Sequence, residues 1–354
     1  MKILITGGAG FVGSRLAHLF RDQYPQARIV AFDNLKRRGS ELNLPAFQKR
    51  QIQFVHGDIR NPADFEELSD SFDLMIEASA EPSVLAGLHG SPLYAIDTNL
   101  GGTINCLEFA RRKCNRLVFL STSRVYSLPR LLQIPLVRTP SRFEVSADQP
   151  RYSKGIAEDF PTDGYRSIYG TTKLASEMLI EEYVHTYGLQ AVINRCGVIC
   201  GPWQMGKVDQ GVFTLWMARH TFGGSLKYTG FGGEGHQVRD LLHPRDLFEL
   251  IEAQLGSTTP WRGDVFNVGG GLEQSVSLQE LTEICRNISG RSIEIKSVPT
   301  TSSVDIPYFV TNYSKASSAY DWRPRIRVPE IIKEINHWLI THQAELKHLF
   351  GKDF

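Results

Sequence analysis

Short apolar runs recur along the first half of the chain, each closed by a polar or glycine-rich stretch. Residues 2–6, 28–33, 52–55, 73–77, 116–121 and 190–195 are continuous runs rather than alternating ones. Strands covered on both faces of a parallel sheet have that signature. Helical patterns separate them near 14–23, 62–69, 95–113 and 169–187. Regular strand–helix alternation predicts an α/β fold with a doubly wound parallel sheet.

The second half is less regular. Residues 196–236 are rich in glycine and aromatic side chains, with a helix expected over 211–220. A helix is expected over 244–256 and one more buried strand over 264–268; helices over 277–289 and 329–349 each begin after a Ser or a Pro. This divides the chain into a nucleotide-binding domain, 1–195 with 237–267 returning to it, and a smaller mixed α/β substrate domain, 196–236 and 268–354. Residues 125–166 show no strong periodicity and hold five of the 17 prolines. Loops of that length in compact enzymes are functional or disordered.

Composition narrows the function classes. Of 354 residues, 42% are hydrophobic and 22% charged, which excludes a disordered chain. Lys+Arg 39 against Asp+Glu 38 leaves +1, which argues against nucleic acid or an anionic membrane as partner. No apolar run approaches the roughly 20 residues of a membrane span. The first run stops at Thr6-Gly7-Gly8, too soon for a secretion signal. Five scattered cysteines (Cys106, Cys114, Cys196, Cys200, Cys285) form no disulfide framework and suit a reducing cytoplasm. Cys196 and Cys200 are four apart, but no nearby pair completes a metal set, so both read as buried thiols.

The most informative motif lies at the N-terminus. Gly7, Gly10 and Gly13 follow the first strand and open a helix, with Phe11 and Val12 between the last two. Glycines there permit a tight turn and let backbone N–H groups approach a pyrophosphate. The second strand ends in Asp33-Asn34, and Asp33 lies twenty residues past Gly13. A carboxylate at that spacing holds an adenosine ribose hydroxyl and repels a 2′-phosphate, which selects NAD over NADP. Lys36-Arg37-Arg38 pulls the other way but reads as a solvated loop. Asp58, in Gly57-Asp58-Ile59 after the third strand, is placed either to cap adenine, beside Ile59, or to cap a helix ahead of Pro62.

Tyr169 and Lys173 are four apart at the start of a helical pattern, hence on one face. A neighbouring ammonium favours the phenolate, so such a tyrosine can serve as a general base. Thr122, ending the fifth strand, adds a hydroxyl where ligands sit in this architecture.

Together, Thr6-Gly7-Gly8-Ala9-Gly10-Phe11-Val12-Gly13, the Asp33 strand, Ser121-Thr122-Ser123 and Tyr169-Gly170-Thr171-Thr172-Lys173 resemble the extended short-chain dehydrogenase/reductases. The resemblance spans nearly the whole chain. It implies a Rossmann-type domain binding NAD(P), a nucleotide sugar held beneath the C-terminal domain, and a catalytic trio at Thr122, Tyr169 and Lys173. It places Asn99 near the cofactor, and Ala78, Ser79 and Ala80 on the turn passing the nicotinamide. Glu81, at the end of that turn, either touches substrate or is satisfied locally. Relatives commonly carry His-Leu-Ala-Ala-Gln where this chain has Glu77-Ala78-Ser79-Ala80-Glu81, so Glu77 and Glu81 are departures; on the second reading both carboxylates are half-exposed and satisfied by local N–H groups. Members assemble as homodimers or homotetramers through two long helices, here 95–113 and 169–187; Leu107, Met178 and Leu179 fit such a contact and fit core packing equally.

The turn after Thr122 bears on the reaction. Dehydratases of the family carry Asp-Glu there, and decarboxylases a Glu. This chain has Ser123-Arg124, which points to an epimerase or a simple dehydrogenase. Thr122-Ser123-Arg124-Val125-Tyr126, Asp209-Gln210-Gly211 and the string from Gln237 to His243 resemble the CDP-paratose 2-epimerase branch, with Ser123, Arg124, Gln210 and Arg239 toward the substrate. Pro307 stands where the family often places a phosphate-binding arginine. The resemblance thus implies an NAD-dependent epimerase of a CDP- or UDP-linked sugar. Its alternatives are a UDP-sugar 4-epimerase, a net dehydrogenase or reductase, and a non-catalytic NAD(P)-binding regulator.

Overall fold

The computed structural model describes residues 1–88, 90–205 and 211–350. Seven strands form one parallel sheet: β1 (Lys2–Thr6), β2 (Arg28–Asp33), β3 (Gln53–His56), β4 (Leu74–Glu77), β5 (Arg116–Thr122), β6 (Gln190–Cys196) and β7 (Arg262–Val268), in the spatial order β7-β6-β5-β4-β1-β2-β3. The chain reverses direction across the sheet between β1 and β4, and a crevice opens beyond their C-terminal ends.

The continuous apolar runs follow from two-sided burial. Ile3, Ile5, Ile29, Ala31, Leu74, Ile76, Val118 and Leu120 join one core cluster, and their neighbours Leu4, Val30, Phe32, Met75, Leu117 and Phe119 join another. Helices α1 (Phe11–Gln23), α2 (Gly102–Lys113), α3 (Ile168–Tyr187) and α5 (Pro244–Gly256) cover the sheet. α1 meets α5 through Phe20 and Phe248, edge to face at 4.9 Å. α2 and α3 meet along the other face, with Leu107 and Ile180 in its core.

Several predicted elements end differently. α1 starts at Phe11, three residues early, because Gly10 already takes the N-cap position. The helix expected over 95–113 is interrupted: one α turn (Leu93–Ile96) and a π-type turn (Asp97–Gly101) precede α2. The 62–69 stretch is a 3₁₀ segment, Pro62–Glu67, whose N-cap is Asn61, accepting from the Ala63 N–H; Asp58 is therefore not that cap. The last helix divides at His342 into α7 (Val328–Thr341) and Gln343–Phe350.

Beyond β6 the chain builds a second layer. Val238–Leu242 pairs antiparallel with Ser275–Ser277 and parallel with Tyr308–Phe309 and Val198–Ile199. Helices α4 (Val212–Phe222), α6 (Leu278–Ser289) and α7 pack there around Trp216, Leu281, Ile331, Ile335 and Trp338. α6 begins with a capping box between Ser277 and Glu280. The 125–166 stretch is ordered: a helical turn (Leu128–Leu132) and a hairpin (Leu136–Arg138 with Phe143–Val145), with Val125, Tyr126, Leu131, Ile156 and Phe160 packed on Ile306 and Phe309.

Candidate active site

A cleft of about 560 Å³ lies along the C-terminal ends of β1, β2, β4 and β5. Its floor is the glycine turn. Gly7 has φ +63°, and a Cβ on it would lie 2.7 Å from the carbonyl oxygen of Ala78. Glycine is thus required for the turns after β1 and β4 to touch. The Gly10 N–H donates to the Gly7 carbonyl at 3.0 Å. A Cβ on Gly13 would lie 2.2 Å from that same carbonyl, so Gly13 seats α1 on the turn and is not on the cleft wall. Gly10 offers no side-chain cap, and Gly10, Phe11 and Val12 line the cleft. Uncapped N–H groups at a helix N-terminus form a site for a diphosphate.

Asp33 lines the cleft at the end of β2. Its oxygens accept from the Ala9 N–H at 3.1 Å and the Leu35 N–H at 2.8 Å, while burial pushes its carboxyl above the ordinary range. This fixes the carboxylate at the mouth of the glycine turn. Asn34 lines the cleft too and donates to Asp58 at 2.9 Å. Asp58 is engaged by Arg60 as well, which holds it down at about 2. It ties the ends of β2 and β3 together behind the wall, while Ile59 is on the wall itself. The basic run is exposed at Lys36 and Arg38, as a solvated loop would be, yet it also borders the cleft. Lys36, Arg37 and Arg38 line the cleft, and Arg37 donates to the Met205 carbonyl.

Thr122, Tyr169 and Lys173 converge on the far side of the cleft. Ser167 caps α3 through the Gly170 N–H at 3.2 Å, which starts the helix at Ile168, directly before Tyr169. Gly170 lies against the Arg124 carbonyl: a Cβ there would be 2.1 Å from that oxygen. That approach brings Tyr169 toward Thr122 on the cleft wall. The Lys173 ammonium sits 4.0 Å from the centre of the Phe119 ring and 3.4 Å from the Glu77 carboxylate. Burial pushes the Tyr169 phenol up to about 12, against the pull of Thr122 and Arg124, and Glu77 adds to the rise. The expectation that Lys173 simply acidifies Tyr169 therefore misses a third group. Glu77 is not half-exposed; it is buried at the end of β4.

Ala78, Ser79, Ala80 and Glu81 line the cleft as a turn after β4. Asn99 holds that turn from behind: its Oδ1 accepts from the Glu81 N–H at 2.8 Å, and its Nδ2 donates to the Glu81 carbonyl at 3.1 Å and the Thr172 hydroxyl at 3.3 Å. It sits in the π-type turn and is off the wall, a post between the turn and α3. The Glu81 carboxylate accepts from the Ser83 N–H at 3.3 Å. Ser123 and Arg124 are on the wall beside Thr122. Arg239 is not; its guanidinium donates to Asp305 at 3.1 Å and the Ile306 carbonyl at 2.7 Å, so its partner is Asp305 rather than Asp240. Gln210 lies outside the described residues.

Sequence reasoning missed Trp203, Gln204 and Met205, which close the cleft opposite Arg37. Nothing in their local pattern marks them, because the contact joins segments far apart in the chain.

Residues 3–269 match the family model described as the NAD dependent epimerase/dehydratase family. The chain is 31% identical to a CDP-paratose 2-epimerase from Salmonella typhi, over 96% of this chain and 99% of that protein. It is 28% identical to a putative UDP-glucose 4-epimerase from Methanocaldococcus jannaschii, over 95% and 98%. Among solved structures it superposes on a dTDP-glucose 4,6-dehydratase from Bacillus anthracis, in complex with NAD, with a TM-score of 0.77 and 25% identity, covering 99% of each chain.

Proposed function

The chain belongs to the NAD-dependent epimerase/dehydratase family, and on that premise we propose that it is a nucleotide-sugar epimerase that leaves its substrate neither oxidised nor reduced. One observation carries this reading. The turn beside Thr122 offers Ser123 and Arg124 and no carboxylic acid. Expelling water from a sugar requires an acid next to the reacting carbon; inverting a carbinol centre requires only a proton acceptor and a place for the hydride.

The family's cofactor is NAD, and the residues fit it. The glycine turn would close to a clash with a Cβ at Gly7 or Gly13, and the uncapped α1 N-terminus offers N–H donors to the diphosphate. Asp33 would take the adenosine ribose, Asn34 and Ile59 would flank the adenosine, and Ala78–Ala80 would border the nicotinamide. When bound, NAD supplies a hydride acceptor and donor. Tyr169 takes the proton of the sugar hydroxyl and later returns it. Thr122 orients that hydroxyl from the end of β5. Lys173 is fixed by Glu77 within the cofactor side of the cleft. The keto-sugar presents its other face before reduction.

The likeness to the CDP-paratose 2-epimerase favours a CDP-linked sugar inverted at C2, with a UDP-linked sugar inverted at C4 as the second choice. Arg124 and Arg239 would meet the diphosphate or sugar, Arg239 only after exchanging its bond to Asp305. We assign 1–195 with 237–267 to cofactor binding, and 196–236 with 268–354 to the substrate. Ile104, Met178 and Tyr187 are exposed on α2 and α3, which supports a homodimer through these helices. The described cysteines are all free, which suits the cytoplasm.

The test is Tyr169→Phe. The variant should fold and retain NAD while losing conversion of CDP- and UDP-sugars by at least about a hundredfold. Full conversion by the folded variant would overturn the assignment.

A further inference from the structure

Five buried polar side chains, Ser121, Tyr126, Glu177, Arg195 and Asn267, form a chain behind the cleft that the proposed reaction leaves unused. Glu177 stands on α3, and Arg195 on β6 meets its carboxylate through Nε, 3.1 Å from each oxygen, and through a second nitrogen at 2.7 Å. Ser121, the neighbour of Thr122 on β5, donates its hydroxyl to the same carboxylate. The third guanidinium nitrogen donates to the Tyr126 hydroxyl at 3.2 Å. That hydroxyl donates in turn to Asn267 Oδ1, on β7, at 2.6 Å. Asn267 Nδ2 then donates to the Ile156 carbonyl at 2.9 Å. Ile156 is clipped to the stretch 310–312: its N–H donates to the Val310 carbonyl at 2.7 Å, and its carbonyl accepts from the Asn312 N–H at 2.9 Å. No buried side-chain nitrogen or oxygen of the five lacks a partner.

The chain touches the back of the cleft wall at three places. Ser121 is on the wall itself. Glu177 is on the helix that carries Tyr169 and Lys173. Tyr126 closes the single 3₁₀ turn Ser123–Val125, whose other end is capped by the Thr122 hydroxyl accepting from the Arg124 N–H at 3.2 Å. Ser123 and Arg124 of that turn face the cleft. The Tyr126 ring is wedged between Phe160, edge to face at 5.8 Å, and Phe309, stacked at 6.0 Å. Phe309 is the pairing partner of Arg239. The Tyr126 hydroxyl therefore links β5, β6 and α3 on the cofactor side to the 308–312 stretch of the second layer. A buried ion pair adds little stability over apolar packing of the same volume. A fully satisfied buried network does fix one arrangement of the elements it joins.

We infer that Tyr126 is a positioning residue, whose hydroxyl holds the Thr122–Arg124 turn in register with the 308–312 stretch. The groups that face the sugar are thereby set by the seating of the second layer. Removing the hydroxyl leaves Arg195 and Asn267 each with an unpaired polar group and releases the turn. The aromatic wedge and the glycine turn stay as they are, so cofactor binding is spared.

The test is Tyr126→Phe in the full-length protein, which keeps the ring and deletes one oxygen. Hydrogen exchange followed by mass spectrometry needs no substrate. The amides of Tyr126, Ile156 and Asn312 should exchange faster together, by at least about tenfold, as a unit that opens cooperatively. Faster exchange at Tyr126 alone, or at none of the three, would overturn the inference. Turnover is the second readout and rests on the proposed function. Counted per NAD-loaded protein, kcat should fall by at least about tenfold while NAD affinity stays within about twofold. A lower melting temperature with kcat unchanged would reduce Tyr126 to packing. Asn267→Ala cuts the same bond from β7 and should reproduce both effects, and it decides alone if Tyr126→Phe does not fold. The two changes combined should cost no more than the larger single one, whereas additive losses would mean separate roles. If no nucleotide sugar is converted, the proposed function falls and the exchange pattern still decides the role of Tyr126.

Discussion

Arg37 donates to the main-chain carbonyl of Met205 at 2.6 Å, across 168 residues of sequence. Beside it the Arg15 guanidinium lies 5.2 Å from the Trp203 ring centre, and Trp203 holds a positive φ of 72°. Two segments thus clasp each other over the glycine-turn end of the cleft. A redox-neutral enzyme gains from such a clasp, because its cofactor need not leave between turnovers.

Arg37→Ala should therefore speed NAD release more than it slows NAD capture. Losing a charged hydrogen bond of about 1.5–3 kcal/mol predicts a release rate roughly ten- to a hundredfold higher. Stopped-flow quenching of tryptophan fluorescence, with Trp203 in the clasp, reads both rates. Equal release from wild type and variant would show that the clasp does not gate the cofactor.

Asp33→Ala should change cofactor choice. The carboxylate is held by the Ala9 and Leu35 N–H groups, so its position does not depend on ligand. Removing it should weaken NAD binding by about tenfold or more and narrow the preference over NADP, since repulsion of the 2′-phosphate goes with it. Calorimetric titration with each dinucleotide measures the ratio.

Gly170→Ala tests the seating of α3. The added carbon would overlap the Arg124 carbonyl, a backbone atom that cannot swing aside. Overpacking of this kind costs about 1–3 kcal/mol. The melting temperature should fall, and any folded fraction should show Tyr169 displaced from Thr122, with turnover reduced more than NAD affinity.

His18 predicts the acid side of the stability curve. It is buried on α1 against Phe47 at 5.4 Å between ring centres, and burial together with Arg15 and Arg50 lowers it from 6.5 to about 3. Below about pH 6.5 the unfolded chain takes up a proton that the folded chain refuses until about pH 3. Stability therefore falls with pH across that window, by at most about 1.4 kcal/mol per unit from this group. Denaturant melts at several pH values should show a shallower slope in His18→Gln, which has no proton to gain.

Much of this architecture is written locally. The six sheet runs of the first half are apolar on consecutive residues because both faces of the sheet are covered, and each fell within a residue or two of a strand. The glycine turn, Asp33, Thr122, Tyr169 and Lys173 were legible because their chemistry depends on short, fixed spacings. Asp58, Asn99 and Arg239 stand off the cleft wall for a common reason. A polar residue at the right position in a motif says nothing about whether its side chain faces the cleft or a neighbour behind it, and Arg60, Glu81 and Asp305 supplied such neighbours. Glu77 was visible as a departure, but its pairing with Lys173 joins residues 96 positions apart and needed the fold. The clasp at Arg37 and Met205 was invisible for the same cause.

The central claim is a reaction that inverts one carbon with no net oxidation and no loss of water. Its most direct test is to incubate the NAD-loaded protein with CDP- and UDP-hexoses carrying deuterium at the reacting carbon, and to follow products by NMR and mass spectrometry. The account predicts a product of unchanged mass, inverted at one carbon and still carrying its deuterium, with no NADH accumulating. A product lighter by one water, or NADH formed in step with product, would contradict it.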